Sequence, residues 1–583
     1  MDNNDKSDEF STLRKTESNS SITFWKNLYR WRMRHYFYIH VFIFIFAGLL
    51  SGLGVFVIEN YIESNPFMYV TYMDSWFIAA SCICSCGLTT LDFARLSTQS
   101  QILLMILTIC GGITVSTLPA LMIKAQTHKH ASGPQVDNDH LAFSIRQNSE
   151  KNTEYSLEAQ MKIGRLPHAE KLRYCAYVYC LLLIPITCLT IYLCAFLSIG
   201  SWIQKNYRSS QLRQDGRSIN PWYASLIITI TGFNQNGLAP WSDSLSRFVH
   251  DTMLNIIIIM LVMSGNVLFP FIFRNVIMFV RWLVPWHQKI IFDYILLNNH
   301  RLSTVLFPTV QTRIYLIVTF GLYMLSICVS IILDYRSQSF IEYTFGQCLL
   351  IFSFHTVSAR FAGFETIDIN LFTEGTLIIY LLLMAVKPQM LYDSSTNSNI
   401  FPIRRLHHLL KKRNLKARSH AENYFTSSPR QTSSKTKTIT LIKYRLLIIF
   451  MCRRMLSHSF TLLTRTRTWL FIFIFLICSF ESYHMIPFDE NITVIKIVFE
   501  VVSAFGTVGL TTGYPNLKSS LATVFSYPSK IVLLLTMLMG RHRGLLDSMK
   551  DQEKIEYSAH LLLERWKLMA KEEHPRNDDI NLV

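Results

Sequence analysis

The chain has 583 residues, half of them hydrophobic, only 16% charged, and a net charge of +17. Its apolar residues fall in blocks close to the roughly 20 residues a bilayer core demands, rather than in short amphipathic stripes. That pattern excludes a soluble multidomain protein and marks an all-α polytopic membrane protein. Phosphate-loop, zinc-protease and nucleophile-elbow motifs are missing from the sequence, which argues against an ATP-driven pump or an enzyme.

In chain order, a basic tail (1–35) precedes an apolar block at 36–58 that is too long for a signal-peptide core and has no small-residue cleavage site. Further spans are predicted at 98–123, 172–200, 249–279, 312–335, 372–393, 467–487 and 527–546. The basic first flank puts the N-terminus in the cytoplasm, and eight spans return the C-terminus (547–583) to the same side. The loops 124–171, 280–311 and 394–466 then lie inside. The last of these is rich in Lys, Arg and Ser, so the positive charge is expected to serve cytoplasmic loops rather than nucleic acid. The external segment 201–218 breaks this rule with Lys205, Arg208, Arg213 and Arg217. Asn491-Ile492-Thr493 is an N-glycosylation triplet in another external segment.

Each external connection holds a semi-apolar stretch too short to span, at 76–86, 222–236, 345–362 and 495–508, and each is followed by a glycine: Gly87, Gly237, Gly363 and Gly509. Leu or Phe follows every one, and Ser81, Thr231 and Ser503 stand six residues before three of them. The glycines recur about every 125–150 residues, an internal repeat of helix, short helix, glycine and helix. The repeats are assigned to 36–123, 172–279, 312–393 and 467–546. Such a unit suits a dehydrated cation: glycine turns backbone carbonyls toward a pore axis, and the short helix aims its negative end there.

The fourth unit, Phe499 to Asn516 (FEVVSAFGTVGLTTGYPN), resembles the last pore loop of the Trk/Ktr/HKT superfamily. Gly540-Arg541-His542-Arg543-Gly544-Leu545 is similar to the segment that follows in fungal Trk proteins, and Gly265 to Pro270 (GNVLFP) to the helix after the second loop in plant HKT proteins. The resemblance covers about 36–546. It implies four M1–P–M2 pore-loop repeats, with eight transmembrane helices and four re-entrant pore helices around a pseudo-fourfold pore. The four glycines would line a selectivity filter with Cys86, Asn236, Ala362 and Val508, the residues before them. It further implies K+ or K+/Na+ uptake, no cofactor beyond the permeant ions, residence in the lipid bilayer of the plasma membrane, and a homodimer with one pore per chain. Serine at the first filter glycine accompanies Na+ preference in plant relatives, so Gly87 leans toward K+; a Na+-selective uniporter on the same fold is the rival reading, and a polytopic receptor or membrane-bound enzyme a remote one.

Arg541 falls where the family carries a pore-facing arginine below the filter, or it snorkels to the cytoplasmic interface. Lys387, just before Pro388, is either a second pore barrier or an interfacial lysine. Asp92 and Asp368 follow their glycines at the same offset and read as outer-mouth charges, helix caps, or both, with Glu365 a further mouth residue. Cys82, Cys84 and Cys86 alternate but lack a nearby His and diverge on a helix, so no metal site is expected beyond the permeant ion.

Overall fold

A computed structural model describes residues 38–62, 70–130, 161, 163–298, 309–385, 469–485, 489, 491–542 and 559–572. Four units of outer helix, short re-entrant helix and inner helix follow one another along the chain. In the first unit, α1 (Tyr38–Ile62) is the outer helix, α2 (Tyr72–Ile83) the pore helix, and α3 (Thr98–Gly111) with α4 (Leu118–His130) the inner helix. The second unit has α5 (Ala169–Asn206), pore helix α6 (Pro221–Phe233), and inner helices α7 (Thr252–Ser264) and α8 (Phe269–Leu283), followed by α9 (Trp286–Leu297). The third comprises α10 (Thr309–Asp334), pore helix α11 (Phe345–Phe361) and α12 (Glu374–Ala385). The fourth comprises α13 (Trp469–Phe480), pore helix α14 (Val494–Gly506) and α15 (Tyr527–His542). A last helix, α16 (Ala559–Glu572), packs Trp566 against Trp286 of α9, ring centroids 4.9 Å apart. Lys387, Arg543 and the basic loop 394–466 lie outside the described residues.

The outer helices are apolar toward the lipid: Phe42, Phe46 and Leu50 on α1, and Ile317 and Phe320 on α10, are exposed. Exposed apolar side chains that would be costly in water are the expected solution in hydrocarbon, which leaves packing to hold the bundle together. Two predicted spans are not straight. The 249–279 helix bends by 77° between α7 and α8, and the first inner helix bends by 56° after Gly111. Pro270 explains the first, since it cannot donate to the preceding turn, and Gly265 to Leu268 unwind ahead of it.

One device recurs at the external ends. The buried carboxylate of Glu59 on α1 accepts from the Ser97 amide (2.9 Å) and hydroxyl (2.6 Å) at the start of α3. Asp334 at the end of α10 accepts from the Thr373 amide (2.8 Å) and the Thr376 hydroxyl (2.5 Å). Glu481 beyond α13 accepts from the Ser526 amide (2.8 Å) and hydroxyl (2.6 Å). Each outer helix thus caps the inner helix of its own unit, supplying orphan amide donors with an anion that the helix dipole also favours. In the second unit the roles reverse. Asp251 caps α7 itself and accepts from Trp202 Nε1 (2.8 Å) and the Tyr207 hydroxyl (2.9 Å), at and just beyond the end of α5.

Among the described residues the only β-strands form a hairpin, β1 (Arg213–Gln214) and β2 (Arg217–Ser218), antiparallel with Arg213 opposite Ser218. Its tip, Asp215-Gly216, has φ of +47° and +83°, the turn that an Asp-Gly pair favours. Lys205, Arg208, Arg213 and Arg217 are all exposed on or beside it.

Candidate ion pore

Caps start the pore helices. Thr71 accepts from the Asp74 amide, Asn220 from Trp222 and Thr493 from Lys496, while the Gln347 side chain accepts from the Thr344 amide. At their other ends, Ser85, Gln235 and Thr507 take the left-handed conformation (φ +52°, +65° and +49°), which non-glycine residues adopt at a cost. This turn brings the next amide back onto the helix: Cys86 donates to the Ser81 carbonyl (2.9 Å), Asn236 to Thr231 (2.7 Å) and Val508 to Ser503 (3.1 Å). The third unit does without the turn. Its helix runs to Phe361, Ala362 has φ −138°, and Gly363 itself donates to the Ser358 carbonyl (3.0 Å), five residues back instead of six. That missing residue is why no Ser or Thr stands six places before Gly363.

The four glycines all have positive φ: +92° at Gly87, +67° at Gly237, +62° at Gly363 and +84° at Gly509. They close a ring. A β-carbon placed on Gly87 would come within 3.0 Å of the Asn236 carbonyl oxygen, and one on Gly237 within the same limit of the Ala362 carbonyl. One on Gly363 would come within 2.5 Å of the Val508 carbonyl, and one on Gly509 within 3.0 Å of the Cys86 carbonyl. Each glycine therefore faces the carbonyl of the residue before the next unit's glycine, and the fourth returns to the first. Two independent requirements, left-handed backbone and the absence of a side chain, select glycine at these positions.

The inner helices are fitted to this ring by a second set of glycines. A β-carbon on Gly111, Gly265 or Gly540 would lie within 3.0 Å of the carbonyl of Ile83, Phe233 or Phe505, near the end of its own unit's pore helix. Beneath the ring, Arg541 in the last turn of α15 donates from Nη2 to the carbonyl of Gly111, where the first inner helix bends. The side chain crosses from the fourth unit to the inner helix of the first. Beside it, His542 lies 2.9 Å from His40 of α1.

The three carboxylates expected at the outer mouth differ in what they hold. Asp92 caps Ala94 (3.1 Å), accepts from the Ser242 hydroxyl and sits 3.5 Å from Arg95, which also pairs with Asp215 of the hairpin at 3.0 Å. Burial raises its pKa against those partners. Asp368 is exposed and caps Asn370 (2.9 Å), whose side chain reaches the Thr512 carbonyl. Glu365 is half-buried, and its amide donates to the Ser244 hydroxyl (3.1 Å). Asn491 donates its backbone and side-chain amides to Asp489 (2.8 and 3.0 Å), and these bonds with the Tyr514 phenol hold that carboxylate below its ordinary pKa.

Sequence reasoning passed over several residues now in view. Glu500, buried in α14, accepts from the Thr511 hydroxyl (2.8 Å) just beyond the filter. Lys530 of α15 pairs with Asp74 of α2 at 2.8 Å, both largely buried. Arg360, in the last turn of the third pore helix, is buried with its guanidinium 5.5 Å from the Phe361 ring. Its charge complements the helix C-terminus.

Four re-entrant helices around a closed glycine–carbonyl ring define a membrane-embedded pore-loop protein. The TrkH family, described as cation transport protein, matches residues 141–553, and the chain belongs to it. A putative potassium transport protein of Dictyostelium discoideum is 28% identical over 374 residues, 64% of this chain and 48% of that protein. The potassium transporter TRK1 of Candida albicans is 26% identical over 353 residues, 60% of this chain and 30% of that one. These matches therefore span half or less of those relatives. The cation transporter HKT2;4 of Oryza sativa subsp. japonica is 24% identical over 516 residues, 85% of this chain and 90% of that protein. The crystal structure of the potassium transporter TrkH from Vibrio parahaemolyticus aligns with 88% of this chain and 84% of its own at a TM-score of 0.44 and 11% identity.

Proposed function

We propose that this chain carries K+ into the cell across the plasma membrane, down the electrochemical gradient, without a cofactor. The observation that carries the reading is the closed ring, in which each glycine abuts the carbonyl preceding the next unit's glycine. A cation stripped of water in low dielectric needs substitute oxygens, and four inward-facing backbone segments supply them. Cys86, Asn236, Ala362 and Val508 furnish the ring carbonyls. Asp368 and Glu365 draw cations to the mouth, whereas Asp92 is committed to Arg95, Ser242 and its helix cap. Arg541 forms the barrier below, its charge opposing the permeant ion while its hydrogen bond to Gly111 holds it in place. The glycine at 87 favours K+ over the Na+-selective alternative. Both termini are assigned to the cytoplasm. Every chain holds a complete ring, so the homodimer we infer from the resemblance has two separate pores.

The test is expression in a cell deficient in K+ uptake. Growth restored at low external K+, with no loss of tolerance to added Na+, supports the assignment. Restored Na+ accumulation without K+ rescue would replace it with the uniporter.

A further inference from the structure

The four seams of the ring are not chemically alike. Three residues before the inner-helix glycines Gly111, Gly265 and Gly540 stand Thr108, Val262 and Met537. Thr108 alone of these is polar, and it meets the one filter residue with a polar amide. Asn236 Nδ2 donates to Thr108 Oγ1 at 2.9 Å, crossing from the second unit to the inner helix of the first. Both residues are at most 1% exposed. The Thr108 hydroxyl gives its one proton to the Leu104 carbonyl (2.9 Å), so its oxygen can only accept. That fixes the amide with its nitrogen toward Thr108, and the same nitrogen lies 3.5 Å from Cys82 Sγ on the first pore helix. The backbone carbonyl of Asn236 is the one that faces Gly87 in the ring.

Resting on the transport reading above, we propose that Thr108 is a specificity-determining positioning residue. Its hydroxyl oxygen locks the Asn236 side chain and so sets where the second unit's carbonyl stands in the filter. Its place on α3 adds a consequence. The Thr108 carbonyl accepts from the Gly112 amide (3.1 Å) at the bend, and the next-door Gly111 carbonyl holds Arg541. The filter and the inner barrier are therefore braced from the same helical turn.

The experiment compares wild type with Thr108→Val, Thr108→Ser and the pair Thr108→Val/Asn236→Ala, which copies the Val262 and Ala362 residue types of the next seam. Tracer K+ and Na+ uptake are measured at matched surface level, with half-saturation and maximal rate separated. Thr108→Val is expected to lower K+/Na+ discrimination about tenfold, the ratio set by one buried hydrogen bond lost. Thr108→Ser should keep discrimination at the wild-type value, and the double variant should recover part of the loss. Stabilisation of each purified variant by added K+ against Na+ gives a second readout that does not depend on surface delivery, and it should fall in Thr108→Val alone of the single variants. Unchanged discrimination in Thr108→Val, or an equal loss in Thr108→Ser, overturns the inference while transport by the wild type stands. A wild-type chain that moves neither ion overturns the transport reading itself.

Discussion

Gly237→Ala is the sharpest probe of the ring, because the added methyl group has nowhere to go. Gly237 holds φ at +67°, and a β-carbon there would meet the carbonyl oxygen of Ala362, with its carbonyl carbon at 2.7 Å and the Gly363 carbonyl carbon at 3.0 Å. All three are backbone atoms of the next unit and cannot rotate aside as a flexible side chain would. The left-handed backbone alone costs an L-residue about 1–2 kcal/mol. Overpacking a tight site adds about 1–3 kcal/mol more. Relief requires the Ala362 carbonyl to move, and that carbonyl is part of the ring. If even ~2 kcal/mol of this falls on the ion-occupied state, uptake drops about 30-fold. Gly216→Ala is the matched control: its φ is +83°, but nothing lies within 4 Å of its β-carbon and it sits at the hairpin tip. Rubidium tracer uptake at equal surface level is the assay. Wild-type uptake and selectivity in Gly237→Ala, or equal damage from Gly216→Ala, would show that the steric argument is wrong.

Gly265→Ala should uncouple the second inner helix from its pore helix, because the methyl group would press on the Phe233 carbonyl; lower surface level or lower maximal uptake is expected, and a neutral result would deny the close approach. Glu481→Ala strips the Ser526 amide and hydroxyl of their buried acceptor, a loss of about 1–3 kcal/mol for each group left unmet; the melting midpoint of purified protein should fall, with Glu481→Asp falling less. Arg541→Ala removes a positive charge from the proposed ion path and frees the Gly111 carbonyl, so whole-cell current should rise or change its rectification. An identical current–voltage curve would instead place that side chain away from the pore.

The ring was legible because its signal is chemical and repeated: a glycine that follows the short apolar stretch in every unit is hard to ascribe to chance. The bends were less so. Gly265 to Pro270 reads as part of one apolar block by hydropathy, which reports only solvent preference and not whether the backbone stays helical. The left-handed residues Ser85, Gln235 and Thr507 carry no compositional mark, since the fold imposes their conformation against local preference. The interhelical caps had a usable signal. Glu59, Asp334 and Glu481 stand at the external ends of outer helices, and Ser97, Thr373 and Ser526 precede the inner ones, but the pairing is visible only when the units are aligned with one another. Asp215-Gly216 was equally readable as a hairpin turn within a segment that charge alone left unexplained.

Fusing four units into one chain changes what the filter can be. In an assembly of identical subunits a polar seam would have to occur four times, and each buried amide would need its own partner at full desolvation cost. Here, among the described residues, the seam of Asn236 and Thr108 carries an amide–hydroxyl hydrogen bond, while the third unit drops a residue and enters the ring without a left-handed turn. The glycines must stay equivalent, because each faces a neighbour's backbone in the same way. The residues around them need not be. On the proposed transport reading, selectivity in such a ring is set by four differently supported carbonyls, so a change behind one of them is expected to act as strongly as a change in the line of glycines itself.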